Sequence, residues 1–301
     1  MAHQYTTTAL QVAARDALVL GLGLAVGNAL AETSVTYTLG HGQGNYQSHM
    51  LEGSLDLPGT PLELATDLLT AREAGATVTD QSGVGVNWRI SPLWSAKYRW
   101  STQKDTLFGI NGHELGSSLH LDKWWGNERE TRIDLGVAAF DYRLRGGTAA
   151  QNSVVPDQRR TSLGLRQDLT RDVALYVTFD HFEYSRDPVA LAIKLLGGRR
   201  QRQTAAQSLT GFPDRSKTWG ITWAAADKLD LDLSLGRARS VLGQDQDTLR
   251  LATSFAATRN ANVTLALSTT RSQAVLRPNG ATLVGKSSNA LAELSWGWVF
   301  D

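Results

Sequence analysis

The segment "LAELSWGWVFD" (residues 291–301) sets Leu294, Trp296, Trp298 and Phe300 on every second residue, with Glu293, Ser295, Gly297 and Val299 between them. Neighbouring side chains on a β-strand point to opposite faces. The spacing therefore predicts a strand with one aromatic face and one small, mostly polar face. The same alternation runs back through the chain. In "LWSAKYRWS" (93–101), Trp94, Ala96, Tyr98 and Trp100 share one face, and Ser95, Lys97, Arg99 and Ser101 share the other. "SGVGVNWRISP" (82–92), "RIDLGVAAFDYRLR" (132–145), "VALYVTFDHFEY" (173–184) and "NVTLALSTT" (262–270) repeat it.

The connections between these segments alternate in length. Those at 91–92, 169–172, 226–228 and 259–261 are short, and longer polar ones lie at 102–113, 146–159, 186–216, 241–247 and 271–288. That rhythm predicts an up-and-down antiparallel meander with its short turns at one end. "TPLELATDLLTAREAG" (60–75) carries two signals. Thr60, Pro61 and Glu63 suit a helix start and Gly75 a helix stop. As a strand, Leu62, Leu64, Thr66 and Leu68 alternate with Glu63, Ala65 and Asp67, and the preceding "PGT" turn favours that reading. With it the chain has about 14 strands, within a range of about 12–16, and an even number returns both ends to one side.

Composition removes several function classes. The 301 residues include 30 Lys+Arg and 29 Asp+Glu, a balance that gives no basic face for nucleic acid. There is no cysteine, so disulfides, thiolate metal sites and a cysteine nucleophile are excluded. There is no G-x-S-x-G, H-E-x-x-H or phosphate loop, and the six histidines have no metal-ligand spacing. Asp180 and His181 are adjacent on a strand and face opposite ways, which denies them a dyad. No catalytic residue, metal or cofactor is expected.

Residues 1–31 differ from the rest. Arg15 precedes an apolar run from Ala17 to Gly27, and Ala29 and Ala31 supply the small residues that signal peptidase reads. The run is too short to cross a hydrocarbon core of ~30 Å. The expectation is a cleaved export signal over 1–31 and one mature domain over 32–301.

Which face of the strands is buried decides the environment. A soluble barrel of about eight strands can fill its interior with side chains, but about 14 strands enclose too much space for that. With the apolar face turned into lipid the difficulty disappears, and closure leaves no unpaired backbone edge in hydrocarbon. Aromatics then fall into two girdles. Trp88, Trp94, Trp124, Trp125, Trp296, Trp298 and Phe300 lie toward one interface, and Trp100, Phe182, Tyr184 and Trp219 toward the other.

The alternate apolar positions Ala292, Leu294, Trp296, Trp298 and Phe300 resemble the C-terminal assembly signal of Gram-negative outer-membrane β-barrel proteins, with Asp301 one residue beyond the usual aromatic end. The resemblance implies a closed antiparallel transmembrane barrel with short periplasmic turns and longer extracellular loops. It also implies a place in the outer membrane among lipid and lipopolysaccharide, and assembly machinery that engages the last strand. The function it implies is a porin-like passive channel for small hydrophilic solutes. A barrel exporting or anchoring a polymer such as an exopolysaccharide shares these features, and a secreted soluble β protein that binds a ligand shares the alternation.

In such a barrel the polar face lines the lumen. The expected lining includes Glu52, Asp56, Glu63 and Asp67 on neighbouring strands, then Arg89, Lys97 and Arg99, then Arg132 and Arg166, and later Asp232, Arg250 and Glu293. Facing acidic and basic walls set a transverse field across a pore, whereas mutual pairing only stiffens the wall. Arg89, Lys97 and Arg99 on adjacent strands predict a preference for anions beside that wall. In the loop 186–216, Arg199, Arg200 and Arg202 suit lipopolysaccharide phosphates.

Overall fold

A computed structural model describes residues 32–153, 155–188, 212–276 and 282–300. The proposed export signal, Asp301 and Arg199, Arg200 and Arg202 lie outside the described residues. In chain order the strands are β1 (Thr33–Gly42), β2 (Tyr46–Asp56), β3 (Leu62–Glu73), β4 (Ala76–Ser91), β5 (Trp94–Asp105), β6 (Phe108–His120) and β7 (Thr131–Leu144). Then come β8 (Gln158–Asp168), β9 (Val173–Tyr184), β10 (Pro213–Ala226), β11 (Leu229–Ser240), β12 (Asp245–Thr258) and β13 (Ala261–Ser272). A small hairpin, β14 (Val275–Leu276) and β15 (Thr282–Val284), precedes β16 (Ser287–Phe300). The short helices are α1 (Leu121–Trp125) and α2 (Ala149–Asn152).

Fourteen of these strands form one closed antiparallel barrel, each paired with its sequence neighbours, with β14 and β15 apart from it. The segment 60–75 is a strand, as parity favours. Closure joins β1 to β16, with Val35 opposite Trp298 and Tyr37 opposite Trp296. The terminal strand thus gives each of its edges a partner, β13 and β1. The Tyr37 and Trp296 rings stack at 6.4 Å across the seam.

Both termini of the described barrel lie at one end, here the near end. Its connections at 92–93, 169–172, 227–228 and 259–260 are tight, and those at 145–157, 185–212 and 273–286 at the far end are long. Three connections depart from the sequence expectation, one of them 241–247, which holds only a tight turn at 241–244. Residues 102–113 hold no long loop, because β5 and β6 run on to a turn at 106–107. There Asp105 Oδ1 accepts the amides of Leu107 (2.7 Å) and Phe108 (2.5 Å). At the near end, 121–130 is long and contains α1. Its anchor is Asp122, only 2% exposed, which accepts from the Thr131 amide (3.3 Å) and pairs with Lys123 (3.2 Å). Burial by itself raises the Asp122 pKa, but the bonds from Lys123 and Thr131 outweigh it and hold the carboxyl below its usual range.

The outward face is apolar along the middle of the strands. Leu64, Val84, Leu115, Leu135, Leu233, Leu251 and Leu265 are all exposed large hydrophobics on it. A belt this continuous far exceeds the apolar patches tolerated on monomers in water. Trp88 and Trp94 stand at its near edge and Trp100 and Trp219 at its far edge, all exposed, and Trp124 and Trp125 project from α1. Trp298 and Phe300 continue the near edge on β16. Phe182 and Tyr184 leave this pattern: they share inward parity with Asp180, which bonds to Ser162 and Ser216 inside the wall.

Candidate functional site

The inward face is the candidate site, and it has two unlike walls. On β2–β8 long charged side chains point in and pair with one another. Arg99 on β5 donates from Nε and Nη2 to Asp67 on β3 at 2.9 and 2.8 Å, crossing β4. It can cross because Gly83 lies beneath: a Cβ there would come within 2.7 Å of Arg99 Nη2. Arg99 Nη1 also donates to Glu114 on β6 at 2.6 Å. Glu114 accepts in turn from Arg160 on β8, which reaches across the buried Ala138 of β7. Asp67, Arg99, Glu114 and Arg160 form one ladder of alternating charge over six strands.

Two further groups lie nearer the terminal end. Arg89 Nη2 donates to both carboxylate oxygens of Asp56, at 2.8 and 2.9 Å, with Glu63 3.7 Å away. Arg132 and Arg166 stand directly opposite each other on β7 and β8, like charges that need a shared partner. Glu130 supplies it, with Oε1 2.9 Å from Arg132 Nη1 and Oε2 2.9 Å from Arg166 Nε. Asp134 and Asp168 flank the pair at 3.0 and 3.8 Å.

The wall formed by β10–β13, β16 and β1 is built differently. Its inward residues are mostly hydroxyl or small: Thr36 and Thr38, Thr218 and Gly220, Ser234 and Gly236, Ser254, Thr264 and Ser268, Ser295 and Gly297. Hydroxyl pairs tie neighbouring strands at 2.8 Å between Thr38 and Ser295, 2.7 Å between Ser254 and Thr264, and 2.9 Å between Thr248 and Thr270. Charges are sparse. Asp232 lies 3.7 Å from Arg250 and accepts from the Tyr176 hydroxyl at 3.2 Å, over Gly220.

The structure brings ten of the twelve expected lining residues near one another as charged groups. Asp56, Glu63 and Arg89 meet, as do Asp67 and Arg99, Arg132 and Arg166, and Asp232 and Arg250, while Glu52 lies opposite Asp67 in the register. Lys97 lies over Gly116 on its charged wall and Glu293 stands on the hydroxyl wall; neither has an ion pair among the described residues. Glu114, Glu130 and Asp134 were missed. Their signal was parity: each strand member shares the inward face with residues already singled out.

At the far end of β6–β10 the faces exchange character. Inside, Phe108, Val155 and Phe212 are buried together, with Ile110, Tyr142, Leu144 and Tyr184 packed around them. Phe108 meets Phe212 edge-on at 5.8 Å and Tyr142 at 5.7 Å. Outside, at the same height, stand exposed Asp141, Arg143, His181, Glu183, Arg215, Lys217, Arg237 and Arg239. This far collar is thus apolar within and charged without, the reverse of the belt. Beside it a recess of about 630 Å³ is lined by Phe108, Phe140, Phe182 and Gln158, and by Arg160 at 5.7 Å over the Phe140 ring. Among the described residues no group of three or more His, Asp or Glu is placed to hold a metal ion.

No protein-family model and no curated relative matches the chain. Solved structures do. The CymD monoaromatic hydrocarbon channel superposes with a TM-score of 0.52 at 10% identity, over 90% of this chain and 88% of that one. OpdO of Pseudomonas aeruginosa gives 0.46 at 11% identity, over 89% and 95%, and the KdgM porin in complex with disordered oligogalacturonate 0.45 at 9%, over 89% and 99%. What the first likeness shows is the fold: a closed antiparallel β-barrel.

Proposed function

We propose that the chain is an outer-membrane barrel that conducts small hydrophilic solutes passively. One observation carries the reading: a closed wall turns its continuous apolar belt outward and its ionic and hydroxyl groups inward. In water that arrangement exposes the surface that should be buried, and in a bilayer it solvates both faces correctly. The hydroxyl wall projects mostly short side chains, so it leaves room along the axis. The CymD structure, which shares the fold, is described as a channel.

In this reading residues 1–31 direct export and are removed. The near end faces the periplasm, the far collar stands above the outer leaflet, and assembly machinery engages β16. The lining comprises the twelve residues expected from sequence together with Glu114 and Arg160. The test is a planar-bilayer recording of refolded 32–301, which should give discrete conductance steps that grow with salt concentration. A barrel that migrates as folded on unboiled gels yet passes no current would overturn the channel.

A further inference from the structure

Where β8–β11 leave the apolar belt, the outer surface carries a groove of about 650 Å³. Leu163 and Phe179 form its apolar floor, and Arg215, Lys217, Arg237 and Arg239 its far rim. The register makes the rim unusual. Lys217 lies directly opposite Arg237, and Arg215 directly opposite Arg239, on the same outward face. Like charges facing each other across a sheet destabilise it unless a counter-charge is at hand.

Among the described residues, the protein supplies only part of that counter-charge. Arg237 has Asp245 at 3.3 Å and Asp247 at 3.6 Å. Among the described residues Arg215 has only Asp214, at 3.9 Å and well exposed. Lys217 and Arg239 have no carboxylate in ion-pair range among the described residues, and Lys217 Nζ instead sits 5.3 Å from the Trp219 ring centre. On the side of the barrel around β1, the outward residues at comparable height include His41, Gln47 and Ala292, and Arg72 lies opposite Gln47. Among the described residues around β1, no second set of four facing cations stands at that height.

We infer that this groove binds a phosphorylated lipid of the outer leaflet. Its phosphate is held by Arg215, Lys217 and Arg239, and its acyl chain lies on Phe179 and Leu163. Guanidinium groups match phosphate oxygens in bidentate geometry, and an ammonium adds a point charge. Free inorganic phosphate would satisfy the rim but has no use for the floor. A lipid satisfies both, because the floor continues the apolar belt and the rim marks where that belt ends. The inference rests on the membrane placement proposed above and adds a specific site to it.

The experiment uses folded 32–301 in detergent, with lipid retention read by native mass spectrometry. The probes are diphosphoryl lipid A, the same lipid with its phosphates removed, and inorganic phosphate. Diphosphoryl lipid should bind at least tenfold more tightly than the dephosphorylated form. Arg215→Gln/Lys217→Gln/Arg239→Gln should erase that difference. Arg72→Gln/Lys104→Gln/Arg143→Gln, which removes the same charge elsewhere, should keep it. Equal binding of both lipids, or equal loss in both triple variants, overturns the site. Inorganic phosphate that binds as tightly as the phosphorylated lipid overturns the lipid assignment. If a variant fails to fold, the three probes on the unaltered chain still decide. Failure of membrane placement reads out separately, as folded protein that does not sediment with membranes.

Discussion

The two lumen walls reach the same polarity by opposite means. On β2–β8, guanidinium and carboxylate groups span one or two strands and cancel in ladders such as Asp67–Arg99–Glu114–Arg160. On β10–β13, β16 and β1, hydroxyls pair locally and charges are few, with Asp232 beside Arg250 and Glu293 without an ion pair among the described residues. The difference teaches where electrostatic influence on a solute resides. A paired charge has most of its field closed on its partner, whereas an isolated one projects into the water beside it. In the proposed channel the crowded wall therefore supplies rigidity, and Glu293 on the sparse wall, together with Lys97, supplies selectivity.

The largest expected effect tests the frame within which both walls exist. Leu265 faces outward in the belt and Thr264 inward on the hydroxyl wall. Leu265→Arg should cost ~2–4 kcal/mol, whereas Thr264→Arg should be far milder, as read from urea titrations of bilayer-folded protein. Equal losses would mean that the two faces have been exchanged.

The walls themselves separate at the next scale. Glu114→Gln leaves Arg99 and Arg160 sharing a neutral amide, at a cost of about 1–2 kcal/mol once the partial exposure of all three groups is allowed for. Ser254→Ala on the opposite wall removes one hydroxyl pair, and water can replace it, so about 0.5 kcal/mol is expected. The same titrations compare them, and a Ser254 loss as large as that at Glu114 would erase the contrast.

The smallest energies concern permeation. Lys97→Gln and Glu293→Gln each remove a charge without an ion-pair partner and should move the reversal potential in a salt gradient in opposite directions, toward cations and toward anions respectively. Asp56→Gln/Arg89→Gln removes a matched pair and should leave it nearly unchanged. The shifts should fade toward 1 M salt, where the Debye length is ~3 Å. A larger shift from the matched pair than from either single change would place the field on the crowded wall after all.

The strand pattern, the even strand count and the outward belt were legible in the sequence, because a period of two survives whatever the strands pair with. Leu265 and Trp298 declare their face by parity alone. The strand at 60–75 was legible for the same reason, despite helix-like end signals at Pro61 and Gly75. Lining residues such as Asp67 and Arg99 were legible as inward, but their partners were not. Arg99 reaches Asp67 only because Gly83 on the strand between has no side chain, and Arg160 reaches Glu114 only over Ala138. Such pairings depend on which strands become neighbours and in what register, so sequence alone left open whether Arg89, Lys97 and Arg99 face the lumen as free cations or pair with the neighbouring carboxylates; the barrel pairs Arg89 and Arg99. Phe182 and Tyr184 were misplaced because aromatic character was read as outward, although their parity, shared with Asp180, is inward. Only the folded barrel shows where the apolar belt stops, and beyond that height the same alternation puts aromatics inside and charges outside.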